Sequence, residues 1–357
     1  MPEENPAGAV SDARPWSGAP APTPPGVRGW RARAKRVAIV LAVLAVAGLV
    51  ASEIVLRMIV GLGDPPIYVT NPRWEYDLKP GVYHRFGHTV SINRWMQRGP
   101  DVTEHKTEAR EVRVLVIGDS VVNAGAATPD EMVAAELLTP ELVRATGGPA
   151  RAINISCGTW GPTNELEYVR EFGTFDADAA VLVLNSVDWG DEPTFVLTPE
   201  QPTRKPWLAL EEVVTNYGPR ALGHQFGPGG DDTRPAPAEA AKSLESLRNM
   251  VALLRQRGIG VVAVLHLRQS ESTGTPYEGH ERLKAQLEEL KVPIIESAAY
   301  FLARRGEWKT LWRDDIHPSR EGQVVLMQVF KDAALAALGQ RGGRGGAGAT
   351  GSVPPAR

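Results

Sequence analysis

Two short stretches of this 357-residue chain combine residue types able to do nucleophilic chemistry. The first is Val114-Leu-Val-Ile-Gly-Asp-Ser120-Val-Val-Asn, an apolar strand pattern that runs straight into a small polar turn. In a parallel α/β sheet, ligands bind just beyond the carboxyl ends of strands, which is where Ser120 falls. A serine hydroxyl attacks poorly until a base takes its proton and an acid orients that base. The second stretch, Trp312-Arg-Asp314-Asp-Ile-His317-Pro318, supplies both. An aspartate three residues before a histidine, on a loop entering a helix at Ser319, can place both side chains on one side of the turn. Alone, Ser120 reads as a turn residue or helix N-cap; the two blocks together carry the catalytic reading.

The elements that must position these residues follow from hydrophobic periodicity. Apolar runs at Val112–Ile117, Ala152–Ile155, Ala179–Leu184, Ile259–Leu267 and Val292–Ile295 predict five strands buried on both faces. Between and after them, Pro129–Thr146, Thr163–Phe172, Ala238–Gln256, Glu281–Leu290 and Ser319–Leu338 carry apolar residues at three- and four-residue spacing and predict helices. Strand and helix in alternation give a parallel sheet covered on both faces. The stretch 189–235 is too long and too rich in Pro, Gly and Trp for an ordinary connection, and is expected to be a lid or substrate-binding insertion.

Other polar residues have simpler readings. Asp119 is expected to be a structural hydrogen-bonding residue. Asp315 is expected to be solvated, although a one-residue shift would exchange it with Asp314. Asp188 and Asp191 have no histidine at ligand spacing, so they read as loop caps and no metal site is expected. His266 ends a strand and reads as a satisfied buried histidine, and Cys157, the single cysteine, as a small buried hydrophobe.

The two blocks resemble a known family. Gly118-Asp119-Ser120 after the first strand, with Asp314-Asp315-Ile316-His317-Pro318 before the last helix, resembles the first and last blocks of the SGNH/GDSL hydrolases over about residues 111–335. The resemblance implies an α/β, three-layer αβα sandwich with a flavodoxin-like parallel five-stranded sheet. It implies Ser120 as nucleophile, His317 as general base and acid, and Asp314 as its orienter, with no cofactor. Oxyanion donors are implied in the middle blocks, where this chain departs from the pattern. In Asn154-Ile-Ser-Cys-Gly158-Thr-Trp160, Thr159 stands where a glycine is usual and Gly158 lies one earlier. In Asn185-Ser-Val187-Asp188, Val187 stands in place of the asparagine, so Asn185, two residues earlier on the same strand face, is the candidate substitute. Ser91-Ile92-Asn93 followed by Arg98, and Glu53 with Leu56-Arg57 at the end of the span, resemble the segment that precedes the catalytic domain in membrane-anchored members.

A membrane anchor is also written in the N-terminal pattern. Arg28, Arg31, Arg33, Lys35 and Arg36 precede an uncharged apolar run from Val37 to Ser52, and apolar character resumes after Glu53 to Leu62. The basic cluster favours a cytoplasmic N-terminus and an extracytoplasmic remainder. Glu53 and Arg57, four apart, can pair near the outer interface. The rival reading is a cleaved signal peptide, with Ala45, Ala47 and Ala51 as small residues for a cleavage site. The expected organisation is a disordered basic leader 1–36, a transmembrane helix 37–62, a connecting region 63–110, the hydrolase-like domain 111–338 with its insertion, and a disordered tail 339–357. A net charge of −3 with scattered basic residues argues against a nucleic-acid partner.

The function expected from these readings is an extracytoplasmic serine esterase or deacylase at the cell membrane. Its partner would be an acyl-ester substrate such as an acylated cell-envelope polysaccharide. O-acyl transfer to a polysaccharide uses the same residues. A non-catalytic carbohydrate-binding protein that kept the fold is the alternative that Val187 raises.

Overall fold

The computed structural model describes residues 25–198, 201–218 and 234–345. It divides into two units, Met1–Ser52 and Glu53–Arg357. Helix α1 runs Pro25–Val55 and is followed by a π-helical turn, Leu56–Val60, that ends at Gly61. The stretch Gly29–Val60 is long and apolar enough to cross a membrane. Helix therefore begins inside the expected disordered leader: a proline starts α1, where its missing N–H costs nothing, and Ala, Arg and Lys continue it. The rest of the leader, 1–24, lies outside the described residues, as do 199–200 and 219–233 of the insertion.

The connecting region folds as two antiparallel ribbons, β1 (Tyr68–Asn71) with β2 (Glu75–Leu78), and β3 (Gly81–Arg85) with β4 (His88–Ile92). Arg85 pairs with His88 across a two-residue turn in which Phe86 and Gly87 both have positive φ, +48° and +79°. That is the turn hand that matches strand twist, and glycine provides it without strain. These ribbons are not free appendages. Trp74, Tyr76, Leu78, Tyr83, Val90 and Ile92 are buried in the same apolar cluster as one face of the central sheet. Trp74 packs edge-on against Tyr168 and Phe172, with ring centroids 5.9 and 5.7 Å apart.

The central sheet is built from β5 (Val112–Gly118), β6 (Ala150–Ser156), β7 (Ala179–Asn185), β8 (Gly260–His266) and β9 (Ile294–Glu296), all parallel. Their spatial order, β6-β5-β7-β8-β9, is the flavodoxin-like order, which has its switch point between β5 and β7. Successive residues of each strand enter opposite layers. Leu115, Ile117, Leu182 and Leu265 pack with Leu166 and Val169 of α4 (Pro162–Phe172), Leu254 of α6 (Pro237–Gln256) and Leu287 of α8 (Glu278–Glu289). Val114, Val116, Val183 and Val264 pack with Leu138 and Leu142 of α3 (Ala134–Thr146) and Val329 and Phe330 of α11 (Arg320–Gly345). This alternation on every strand is what a three-layer αβα sandwich requires.

The short helices are α2 (Ser120–Asn123), α5 (Ala209–Glu212), α7 (Gln269–Thr273), α9 (Ser297–Ala303) and α10 (Trp308–Leu311). Helix α11 continues beyond the expected end at Leu338, so 339–345 of the expected disordered tail are helical, and 346–357 lie outside the described residues. One reason is visible at Gln340. Its Oε1 accepts from Val261 N–H at 3.2 Å and its Nε2 donates to Val261 O at 3.0 Å, fastening the helix to β8.

Candidate active site

Strand β5 ends at Gly118, and the chain turns at once. A methyl group on Gly118 would lie 2.7 Å from Val122 Cγ2 and 2.9 Å from the Val183 carbonyl, so only glycine lets the turn lie this close to β7. Asp119, buried, caps α2 by accepting from Val121 N–H at 2.9 Å. Ser120 is thereby fixed at the first position of α2, half-buried at the carboxyl edge of the sheet.

The far block closes on it. His317 Nε2 lies 2.8 Å from Ser120 Oγ, and His317 Nδ1 lies 2.9 and 2.8 Å from the two carboxylate oxygens of Asp314. Since a carboxylate only accepts, Nδ1 carries the proton and Nε2 is left to receive the serine hydroxyl. Asp314 also accepts from the Ile316 and His317 backbone N–H groups at 3.0 and 2.8 Å. Partial burial opposes its ionisation, but the His317 hydrogen bond and charge, with those backbone donors, hold the carboxyl far below its ordinary range. Asp315 points elsewhere, accepting from Ser270 N–H and Oγ at 2.9 Å each, so Asp314 is the aspartate that meets His317.

Two further residues brace the loop that carries His317. His266 donates from Nε2 to the Ile316 carbonyl at 2.9 Å and accepts from Ser297 Oγ at Nδ1, at 3.1 Å. Burial pushes its pKa down to about 4, so it is a neutral strut. Arg313 ties the loop to the Ser120 turn through the Ala124 carbonyl at 3.2 Å.

Arg98 holds the other side of that turn. Buried to 2% exposure, it donates to the carbonyls of Asn123 (3.0 Å), Gly125 (2.5 Å) and Thr128 (2.5 Å), and pairs with Asp130 at 3.3 Å. Asn123 Nδ2 donates to the Ser156 carbonyl and Asn154 Nδ2 to the Val122 carbonyl, both at 3.1 Å, so the second block also clamps α2. Neither asparagine was singled out for this role by the sequence. The available signal was polar amides at the buried ends of otherwise apolar segments.

The two oxyanion candidates differ in what they now hold. Gly158 is half-buried beside Thr159, whose φ is +59°, and its carbonyl accepts from Tyr76 Oη at 3.2 Å. Asn185 Nδ2 lies 3.0 Å from Asp119 Oδ2 and 3.2 Å from Asp188 Oδ2, so both of its hydrogens are directed at carboxylates. Val187 donates its backbone N–H to Asn185 Oδ1 at 3.0 Å, while its side chain is exposed. Around Asn185 stand Asp119, Asp188 and Glu165, all buried, and partly buried Asp191. Burial, and then their mutual repulsion, pushes Asp188 and Glu165 well above the carboxylate range and Asp191 up to about 8. Among the described residues no group of His, Cys, Asp or Glu is arranged to hold a metal ion.

A serine, a histidine and an aspartate stand in hydrogen-bonded sequence at the carboxyl edge of a 2-1-3-4-5 parallel sheet, an arrangement able to do the chemistry of a serine hydrolase. Residues 116–325 match the model of the GDSL-like Lipase/Acylhydrolase family, and the chain belongs to that family. It is an ester-bond hydrolase. Solved structures to which it is similar include an α/β hydrolase enzyme from the metagenome of Lake Arreo, Spain, at 14% identity, covering 63% of this chain and 96% of that one with a TM-score of 0.42. The psychrotrophic esterase EstA of Pseudoalteromonas sp. is similar at 13%, with 62% and 95% coverage and a TM-score of 0.38. A catalytic mutant of an acetylxylan esterase from Geobacillus stearothermophilus is similar at 15%, with 62% and 94% coverage and a TM-score of 0.40. Comparison with curated protein sequences found no match.

Proposed function

We propose that the protein is a membrane-anchored, extracytoplasmic serine esterase or deacylase that works through Ser120, His317 and Asp314. The observation that supports this most directly is the 2.8 Å contact of Ser120 Oγ with His317 Nε2, backed by Asp314 on Nδ1. In the first half-reaction Ser120 Oγ bonds to the acyl carbonyl carbon while its proton passes to His317 Nε2. The tetrahedral oxyanion collapses, the alcohol oxygen leaves, and His317 returns the proton to it. Water then repeats the sequence on the acyl-serine and frees the acid. Asp314, held ionised, keeps the imidazole tautomer and stabilises the imidazolium between steps.

The oxyanion requires donors that await it. The backbone N–H at Gly158 is the candidate from the second block. Asn185 serves either by releasing one of its two carboxylates when charge develops or by holding Asp119, and so Ser120, in place. The apolar N-terminal helix, preceded by its basic cluster, is read as the anchor that leaves this unit outside the cytoplasm. That location offers acylated envelope polysaccharide as the substrate class.

The test is reaction of the detergent-solubilised full chain with a fluorophosphonate, alongside hydrolysis of an activated acetyl ester. Labelling at Ser120, lost in Ser120→Ala, together with a fall in turnover of at least about a thousandfold, is the expected result. An unlabelled but folded protein would point to the non-catalytic carbohydrate-binding reading. Acceleration of ester consumption by an oligosaccharide, with acetylated sugar formed in place of free acetate, would replace hydrolysis by O-acyl transfer.

A further inference from the structure

Apolar exposure does not stop where the N-terminal helix gives way to the catalytic unit. Ile54, Met58 and Ile59 are 56%, 81% and 76% exposed. A distant part of the chain is fastened beside them. Arg57 Nη2 donates to the Trp207 carbonyl at 2.9 Å, and Glu53 accepts from the N–H groups of Ala209 and Leu210 at 2.8 and 3.1 Å while pairing with Arg57 at 2.5 Å. The same segment is held by Glu212, which forms a buried two-point pair with Arg85, at 2.6 and 3.0 Å, and accepts from Gly63 N–H at 2.7 Å.

This arrangement inverts the usual order of a water-facing surface. The charged groups Glu53, Arg85 and Glu212 are occupied in fastening the segment, whereas Trp207, Leu208 and Val214 are left 86%, 51% and 69% exposed. Single exposed apolar residues are ordinary, but a cluster of this kind marks a surface with something to cover it. The chain itself indicates the cover: residues Ile54 to Val60, to which the segment is fastened through Glu53 and Arg57, continue the apolar run in sequence apart from Arg57, which is paired. Tryptophan is enriched at the level of lipid headgroups, and Arg204 and Lys205, partly exposed while paired with Glu211 and Asp64, precede Trp207 in the chain.

We propose that Trp207, Leu208 and Val214, with Met58 and Ile59, form a foot seated in the interfacial layer of a lipid bilayer. The catalytic unit is then held on the membrane surface at two points, the span and the foot. This rests on the anchor reading of the N-terminal helix, and the test separates the two.

The full chain is reconstituted in phosphatidylcholine vesicles containing some phosphatidylglycerol, carrying in turn Trp207→Cys, Val214→Cys, Leu44→Cys in the helix, or Val143→Cys on α3, each labelled with an environment-sensitive fluorophore. Buried Cys157 stays unlabelled. Quenching by lipids that carry a nitroxide high on the acyl chain, with iodide quenching several-fold weaker than at position 143, is expected at both 207 and 214. Full iodide quenching at 207 and 214 with lipid quenching at 44 would overturn the foot and leave the anchor standing. Aqueous behaviour at 44 as well would overturn both. Protection of 207 and 214 from iodide and nitroxide alike would assign the surface to a second copy or another protein, and would also overturn the foot.

Discussion

His266 provides a sharp test of how the loop that carries His317 is held. In the native state it is neutral, donating to the Ile316 carbonyl next to His317, and burial keeps its pKa at about 4. In the unfolded chain it would titrate near its ordinary 6.5. Between those values the unfolded chain binds a proton that the native state refuses. The stabilisation is therefore complete above about pH 6.5 and drains away as pH falls toward about 4. Each pH unit for one proton is worth about 1.4 kcal/mol, so the interval sums to about 3 kcal/mol, against a total stability of about 5–15 kcal/mol. Urea unfolding of the full chain in detergent micelles, followed by tryptophan fluorescence from neutral pH down to about pH 4.5, would measure this for wild type and His266→Gln. Glutamine can keep the bond to Ile316 but cannot titrate. Buried Asp119, Asp188 and Glu165 have raised pKa values and act in the opposite direction, but they are common to both proteins and cancel in the difference. The wild-type advantage should shrink steadily with acidification. A difference that stays flat would show that the fold does not keep His266 neutral, and the strut argument would fall.

Four more outcomes follow from the same geometry. Arg98→Met leaves three carbonyls and Asp130 without their partner and should cost about 3–5 kcal/mol in unfolding free energy and lower kcat, with Arg98→Lys recovering only part because an ammonium lacks the fork. Gly118→Ala should lose about 1–3 kcal/mol by overpacking and show displaced nucleophile geometry as slowed fluorophosphonate labelling. Asp191→Asn should gain on wild type between about pH 4 and pH 8, by up to about 1.4 kcal/mol per pH unit, and no further above that, since the raised carboxyl of Asp191 loses its advantage as pH climbs to its native pKa of about 8. Asn185→Ala should lower turnover about tenfold or more; unchanged turnover would show that backbone donors suffice and that Asp119 holds Ser120 without the amide.

What the sequence makes legible is set by local chemistry. The strands of the sheet were legible because burial on both faces leaves continuous apolar runs, and the Ser120 turn and the Asp314–His317 pair, proposed here as catalytic, stood out because a Gly-Asp-Ser turn and an Asp-x-x-His loop are short-range patterns. Arg98 was noticed only as part of a resemblance. Its clamp depends on contacts 25 to 32 residues away, which no periodicity encodes. The engagement of Asn185 by Asp119 and Asp188 was out of reach for a similar reason: strand alternation gives the face of a side chain but not the neighbours it meets there. The fastening of the insertion to Glu53 and Arg57 joins residues about 150 positions apart. The helical ends at 25–36 and 339–345 were missed because composition alone suggested disorder, whereas a proline start and the Gln340 tie to β8 favour helix.

The Arg98 clamp moves the starting line of the enzyme. The family match begins at residue 116, inside β5, and Ser120, Asp314 and His317 all follow it in sequence. Yet the turn that presents Ser120 is gripped from upstream, and the ribbons that precede Arg98 complete one wall of the apolar interior. A fragment trimmed to the matched region would hold Ser120, Asp314 and His317 on a sheet with an open flank, with the Ser120 turn ungripped. The smallest self-sufficient hydrolase is therefore longer than its signature, and shortening experiments should find the loss of activity well before the first strand of the sheet is reached.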